Sequence, residues 1–187
     1  LDRLKNARKV ASLEEELVKI DPAASKSELK RRIHQVEHHR SHLASAFFAC
    51  PFEEAALLSI DGSGDFTTTM IGRGKSNRIE VIDSVDFPHS VGLFYTALTQ
   101  LLGFPHYGDE YKVMGLAPYG TPRYTDKLRE VLLFEDNGLF SLDQKYFRSA
   151  KSGIVSYGDD HIPTVAPLYS ENLVNKLGPV RTKDEPL

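Results

Sequence analysis

Residues 55–71 read Ala-Ala-Leu-Leu-Ser-Ile-Asp-Gly-Ser-Gly-Asp-Phe-Thr-Thr-Thr-Met-Ile, and the reading of this stretch decides the fold. Ala55–Ile60 is a short apolar run that stops at Asp61, the pattern of a buried strand. Gly62 and Gly64 offer a turn, and Phe66–Ile71, with its three consecutive threonines, favours a second strand paired across it. Arg78–Val85 alternates as a third strand would. Strand, glycine turn, strand describes an antiparallel meander. A Rossmann unit would place a helix directly after the glycines.

Helical patterns surround the meander. Residues 6–20 place Val10, Leu13, Leu17 and Ile20 at three- and four-residue spacing, and Asp21-Pro22 ends that pattern. Residues 31–37 fit strand or helix, and Leu43–Ala49 reads as helix until Pro51. Ser90–Leu102 is the strongest helix, with Ser90 as N-cap, a stripe of Leu93, Phe94, Leu98, Leu101 and Leu102, and Gly103 as the stop. A short helix is expected near 109–117, an amphipathic helix over 123–133 and a strand over 138–142. Residues 150–187 show no period, and the chain has no internal repeat.

With 187 residues, 41% hydrophobic and 26% charged, the composition is that of a globular domain able to bury a core. A formal charge of −3 and a pI near 6.2 provide no footprint for nucleic acid or an anionic membrane. Lys30-Arg31-Arg32 is too short to change that and reads as a solvated face. The one cysteine, Cys50, excludes an internal disulfide and reads as a packed small hydrophobe. No apolar run has the length of a membrane span and no signal-peptide pattern opens the chain, so a cytoplasmic location is expected. Because the chain starts at Leu1 and ends on Lys-Asp-Glu-Pro-Leu, a fragment of a longer protein is expected.

His38 and His42 stand four residues apart. On a helix this spacing puts both imidazoles on one face, where they can bite one metal ion. Such a pair also occurs by chance on solvated faces, and His39 stands where a zinc protease would need its glutamate, so a peptidase reading fails. Asp61 strengthens the metal reading, since a buried strand would deliver its carboxylate to a sheet edge. Two histidines and a carboxylate leave open positions, as suits mononuclear iron or zinc. The competing reading of Asp61 is a turn residue bonded to its own backbone two residues on.

Gly62-Ser63-Gly64 could turn backbone N–H groups onto an anion, although a Gly-x-Gly is more often a hairpin turn and no Walker sequence follows. Gly108 and Lys112 lie beside Asp109 and Glu110; Lys112 could meet a ribose or phosphate, or be an exposed lysine beside its acidic neighbours. Gly92 allows close approach of a nucleotide or of another helix. His89 could be a ligand, but a helix-entry histidine bonded to backbone is the simpler reading.

Three blocks in order, EHHRSHLASAFFACPFEEAALLSIDGSGDFTTT (37–69), FPHSVGLFYTALTQLLGF (87–104) and GDEYKVMGLAPYG (108–120), resemble the carbamoyltransferases of the nodulation and antibiotic-tailoring type. Their N-terminal domain is similar to the tRNA threonylcarbamoyl-adenosine enzyme. The resemblance covers about residues 31–147. It implies an α/β chain of the actin-like ATPase, ribonuclease-H-like fold, with a mixed sheet and packed helices. It makes all of 1–187 part of the N-terminal domain, truncated at both ends. It also implies ATP and carbamoyl phosphate as substrates, a carbamoyl-adenylate intermediate, iron or another divalent metal, and transfer to a hydroxyl of a small-molecule acceptor.

By this resemblance His38, His42 and Asp61 are metal ligands. Asp61, Gly62, Ser63, Gly64, Gly92, Gly108 and Lys112 lie at the nucleotide. The general base and a further metal carboxylate fall outside the chain, so the isolated piece is expected to be inactive. The expected assembly is a small-molecule enzyme without membrane or nucleic-acid partner, with a homodimer as the state to test. Two other readings stay open: a tRNA threonylcarbamoyl transferase, and a non-catalytic metal- or nucleotide-binding module.

Overall fold

The structure is a computed structural model that describes residues 13–148, 154–157 and 163–185. The chain divides into two units, Leu1–Glu37 and His38–Leu187.

Among its described residues the first unit holds two short helices, α1 (Leu13–Ile20) and α2 (Lys26–Arg32). Three glutamates open α1 and Lys19 closes it, the charge order that complements the helix dipole. Lys26 of α2 pairs with Glu15 of α1. Residues 6–12 of the expected first helix lie outside the described residues. Residues 33–37 form neither helix nor strand.

In the second unit, α3 (His38–Phe47) precedes a meander of β1 (Glu54–Gly64), β2 (Thr67–Lys75) and β3 (Arg78–Asp86). The helix starts at His38, five residues ahead of its apolar stretch. Leu43 and Phe47 of α3 pack with Leu57 of β1 and Met70 of β2, which fixes the helix across the sheet. The three strands pair antiparallel in the order β1-β2-β3, as their alternation predicts.

The glycine turn is displaced from its expected place. Ile60 pairs with Thr69 and Gly64 with Thr67, so four residues pass on β1 while two pass on β2. Asp61, Gly62 and Ser63 therefore form a bulge inside β1, and the chain reverses at Asp65 and Phe66, with Asp65 at φ +55°. Aspartate tolerates the left-handed region, so the reversal needs no glycine.

The strong helix is α4 (Val91–Leu101), capped by the Ser90 hydroxyl, which accepts the Leu93 N–H at 3.0 Å. Its buried apolar face is Phe94, Ala97 and Leu101; Leu93 and Leu98 are half-buried. Leu102, 42% exposed, lies beyond the helix end and drops out of the stripe. Gly103 follows at φ +85°, the left-handed stop the sequence indicates.

Downstream lie α5 (Glu110–Leu116), α6 (Thr125–Arg129), the hairpin β4 (Leu132–Phe134) and β5 (Phe140–Leu142), the pair β6 (Ile154–Tyr157) and β7 (Pro163–Val165), and α7 (Glu171–Leu177). The helix expected over 123–133 is cut short, because Leu132–Phe134 pairs with Phe140–Leu142 across the turn at Gly138. Phe94, Val131, Leu142, Tyr146 and Leu173 form a second core. All strand pairs among the described residues are antiparallel, so the mixed sheet is not formed among them. Two-residue reversals join β1 to β2 and β2 to β3, whereas a parallel pair needs a long crossover.

Candidate metal centre

His38 and His42 leave the same face of α3, and the β1 bulge brings Asp61 up to them. His38 Nε2 lies 2.9 Å from Asp61 Oδ2 and 3.0 Å from His42 Nε2. His42 Nε2 is 3.6 Å from the same carboxylate oxygen. Among the described residues this is the one cluster of three such groups close enough to share an ion.

The donor set fits a metal. Donors held about 2.0–2.2 Å from one ion stand roughly 3–3.5 Å from each other, the spacing of these three atoms. Hydrogen bonding satisfies them only in part. His38 Nε2 carries at most one proton, yet the same atom faces both His42 Nε2 and Asp61 Oδ2. A single N–H must be shared between the two in a three-centre bond, whereas a shared cation would engage all three donor atoms. The three side chains are 42%, 51% and 41% exposed, which leaves room for further ligands.

The hydrogen bond from His38 holds the Asp61 carboxyl below its ordinary value, against burial, with the Gly62 N–H and His42 acting in the same direction. Gly62 N–H donates to Asp61 Oδ1 at 2.6 Å. Asp61 thus bonds to the backbone of the next residue, not two residues on as its turn-residue reading has it, while its other oxygen faces the histidines.

Surrounding residues fix this geometry. Asp65 Oδ2 accepts the His38 backbone N–H at 3.1 Å, placing a carboxylate at the start of α3. His39 is fully buried, with Nε2 2.9 Å from the Thr67 carbonyl and Nδ1 2.7 Å from Ser59 Oγ. A carbonyl only accepts, so Nε2 carries the proton and Nδ1 accepts from the Ser59 hydroxyl. The Ser90 hydroxyl donates to the Gly62 carbonyl at 2.7 Å, which ties the bulge to the start of α4.

The remaining expected residues fall into two groups. Gly62, Ser63 and Gly64 adjoin the cluster through the bulge. A Cβ on Gly64 would come within 2.0 Å of the His38 ring. A Cβ on Gly92 would come within 2.8 Å of the Asp61–Gly62 backbone. The close approach that Gly92 permits is therefore made by the β1 bulge. Gly108 takes φ +89° in the turn before α5. Lys112 pairs with Asp109 Oδ1 at 2.5 Å, so it does meet an acidic neighbour. Asp109 is buried; burial pushes its carboxyl up, but the bonds from Lys112 and the His106 N–H outweigh this and hold it below its ordinary value. His89 Nδ1 accepts the Leu142 N–H at 3.0 Å, the backbone-bonded role that the simpler reading gives it.

A depressed carboxylate contributes stability above its unfolded pKa and loses it as pH falls through the folded value. Asp109→Asn is expected to be less stable than wild type at pH 7, with the gap closing as pH falls below about 4. Urea unfolding across that range checks it; a gap independent of pH would remove the Asp109–Lys112 pair as its source.

Sequence reading missed His39. Its signal is indirect: a histidine between two ligand positions on a helix that must also bury one face. The description "Carbamoyltransferase N-terminus" fits the family that matches residues 6–159. The uncharacterized protein sll1178 of Synechocystis sp. is 48% identical over 115 residues, 61% of this chain and 19% of that protein. Nodulation protein NolNO of Sinorhizobium fredii is 40% identical over 57% of this chain and 16% of its own length. Nodulation protein NolO of Bradyrhizobium diazoefficiens is 39% identical over 55% of this chain and 19% of its own. The aligned parts thus span less than a fifth of these relatives. No helix among the described residues is long and apolar enough to cross a membrane. With residues 6–159 of its 187 matched by that family, the chain belongs to the carbamoyltransferase N-terminus family.

Proposed function

We propose that this chain supplies the metal-binding side of the active site of an ATP-dependent O-carbamoyltransferase. The convergence of His38, His42 and Asp61 within a chain of this family carries the reading. The activity is that of the full-length protein, with the fold completed as an actin-like ATPase and the general base supplied outside this chain. ATP and carbamoyl phosphate are the proposed substrates: water cleaves carbamoyl phosphate to carbamate and phosphate, and the carbamate oxygen attacks the α-phosphorus of ATP, releasing pyrophosphate and forming carbamoyl-adenylate as the intermediate. The carbamoyl group passes from the adenylate to a hydroxyl of a small-molecule acceptor as AMP departs.

His38, His42 and Asp61 would hold iron or another divalent metal. Such an ion neutralises charge on phosphoryl and carbamoyl oxygens and orients them. The chain's own groups do the rest of the positioning. The bulge takes residues 61–63 out of the regular ladder with β2, the setting in which backbone N–H groups converge on an anion. Gly62, Ser63 and Gly64 are the proposed phosphate-facing segment, and Gly92 lets that segment lie against α4. Gly108 and Lys112 are the proposed nucleotide contacts on the α5 side, with Asp109 anchoring the ammonium group.

The test is metal content and carbamoyl transfer in the full-length protein. His42→Ala and Asp61→Ala are each expected to lower metal affinity by at least about a hundredfold, since loss of an outer-sphere partner alone costs 10- to 100-fold. Transfer from carbamoyl phosphate in the presence of ATP is expected to fall with it. Wild-type metal content and transfer in both variants would sink the proposal.

A further inference from the structure

We propose that His39 and Gly64 are positioning residues of the metal centre: His39 locks α3 onto two strands, and Gly64 leaves the space that the His38 ring occupies. This rests on the metal reading of His38, His42 and Asp61; it gives His39 a role that touches neither ion nor phosphate, and adds a steric role to the phosphate-facing one proposed for the Gly64 backbone.

The His39 ring packs between the two ligand rings and the sheet. Its centroid is 5.4 Å from that of His38 and 6.0 Å from that of His42, edge-on to both. Its nitrogens reach Ser59 on β1 and the Thr67 carbonyl on β2. Ser59 stands two residues before Asp61, and His39 sits between His38 and His42. One buried imidazole therefore fixes the height and rotation of α3 relative to the strand that carries the third ligand. Metal-ligating histidines commonly depend on such outer partners. Here the partner acts on the backbone that carries two ligands at once.

Gly64 acts through what it lacks. A Cβ there would stand 2.0 Å from His38 Cδ2, 2.3 Å from Cγ and 2.8 Å from Cβ. Rotating the ring cannot clear a contact that includes the side-chain root, so α3 itself would have to lift. His38 is held by its backbone N–H to Asp65 on the same reversal, which resists that lift. Gly64 has no left-handed φ. Its requirement for glycine is one of space, and alanine would keep its backbone N–H for any phosphate.

That last point separates this role from a phosphate-loop role. In full-length protein, Gly64→Ala and His39→Gln are each expected to weaken cobalt(II) binding at least tenfold by competition titration and to alter the visible ligand-field bands of the bound ion. ATP affinity measured without metal is expected to stay within about twofold in His39→Gln. Leu173→Ala, in the second core, is the control for destabilisation: it is expected to unfold more easily and to bind cobalt as wild type does. The two positioning variants differ in severity, so either one that folds decides the matter. Cobalt binding that responds to His42→Ala and Asp61→Ala but not to Gly64→Ala or His39→Gln would overturn this inference alone. Cobalt binding insensitive to all four would overturn it together with the metal reading. Weakened ATP binding with unchanged cobalt binding in Gly64→Ala would return that residue to the phosphate.

Discussion

Leu43→Ala is expected to destabilise the His38–Leu187 unit by about 2–5 kcal/mol, the range for truncating a leucine in a close-packed core. Leu43 is 1% exposed and packs with Phe47, Leu57 and Met70, the contacts by which α3 lies on β1 and β2. The site can collapse only if α3 moves, and His39 and Asp65 hold that helix to the hairpin. A cavity therefore remains and the cost falls in the upper part of the range. Leu173→Ala, with Leu173 at 0% exposure, is expected to cost a similar amount through the other core. Urea unfolding measures both. A loss below about 1 kcal/mol for Leu43→Ala would mean that α3 does not depend on this packing.

Gly92→Val is expected to destabilise by about 1–3 kcal/mol or more, the cost of forcing atoms into a filled space, and to lower metal affinity as well. A Cβ at Gly92 would lie 2.7 Å from Gly62 N and 2.8 Å from the Asp61 carbonyl carbon and oxygen. These are backbone atoms, so no rotamer change relieves the contact. The bulge must retreat from α4, which breaks the Ser90 hydroxyl bond to the Gly62 carbonyl and shifts Asp61 away from the histidines. Gly115→Ala is the matched control. No atom lies within 4 Å of its Cβ position, and it sits inside α5. Alanine is expected to be neutral or stabilising there by up to about 1 kcal/mol. Equal behaviour of the two glycine variants would exclude the packing role of Gly92.

The parts of the fold legible in the sequence are those whose side-chain period runs uninterrupted. The three strands of the meander alternate or run apolar for six residues or more, and each forms where its pattern lies. Ser90 and Gly103 bracket α4 because capping chemistry is local to one residue at each end. Elements shorter than their own signal were illegible. β4 and β7 have three residues each, too few to establish alternation, whereas β5 falls inside the strand expected over 138–142. Leu128, Val131 and Leu132 mimic a helical stripe, but Leu132 belongs to a hairpin that only its pairing with Leu142 reveals.

The candidate site divides in the same way. The spacing of His38 and His42 shows in the sequence because helix geometry converts four residues into one face. The approach of Asp61 depends on a bulge, and a Gly-x-Gly there looks like the turn itself. His39 was hidden because its partners, Ser59 and the Thr67 carbonyl, are brought to it by strand pairing alone. The need for glycine at 64 and 92 showed in the sequence only as permissiveness; the structure gives the atoms that would collide.

The bulge in β1 also constrains how the gene can change. Its two surplus residues between Ile60 and Gly64 keep the alternation of faces in step on either side. Removing or adding one codon there would invert every side chain between the bulge and the reversal, sending Gly64 and the chain that seats His38 to the opposite face. Length variation at this point is therefore filtered by parity: steps of two preserve the frame of the sheet, and single steps do not. A shorter, unbroken hairpin would be the better ladder and would carry no carboxylate to the histidines.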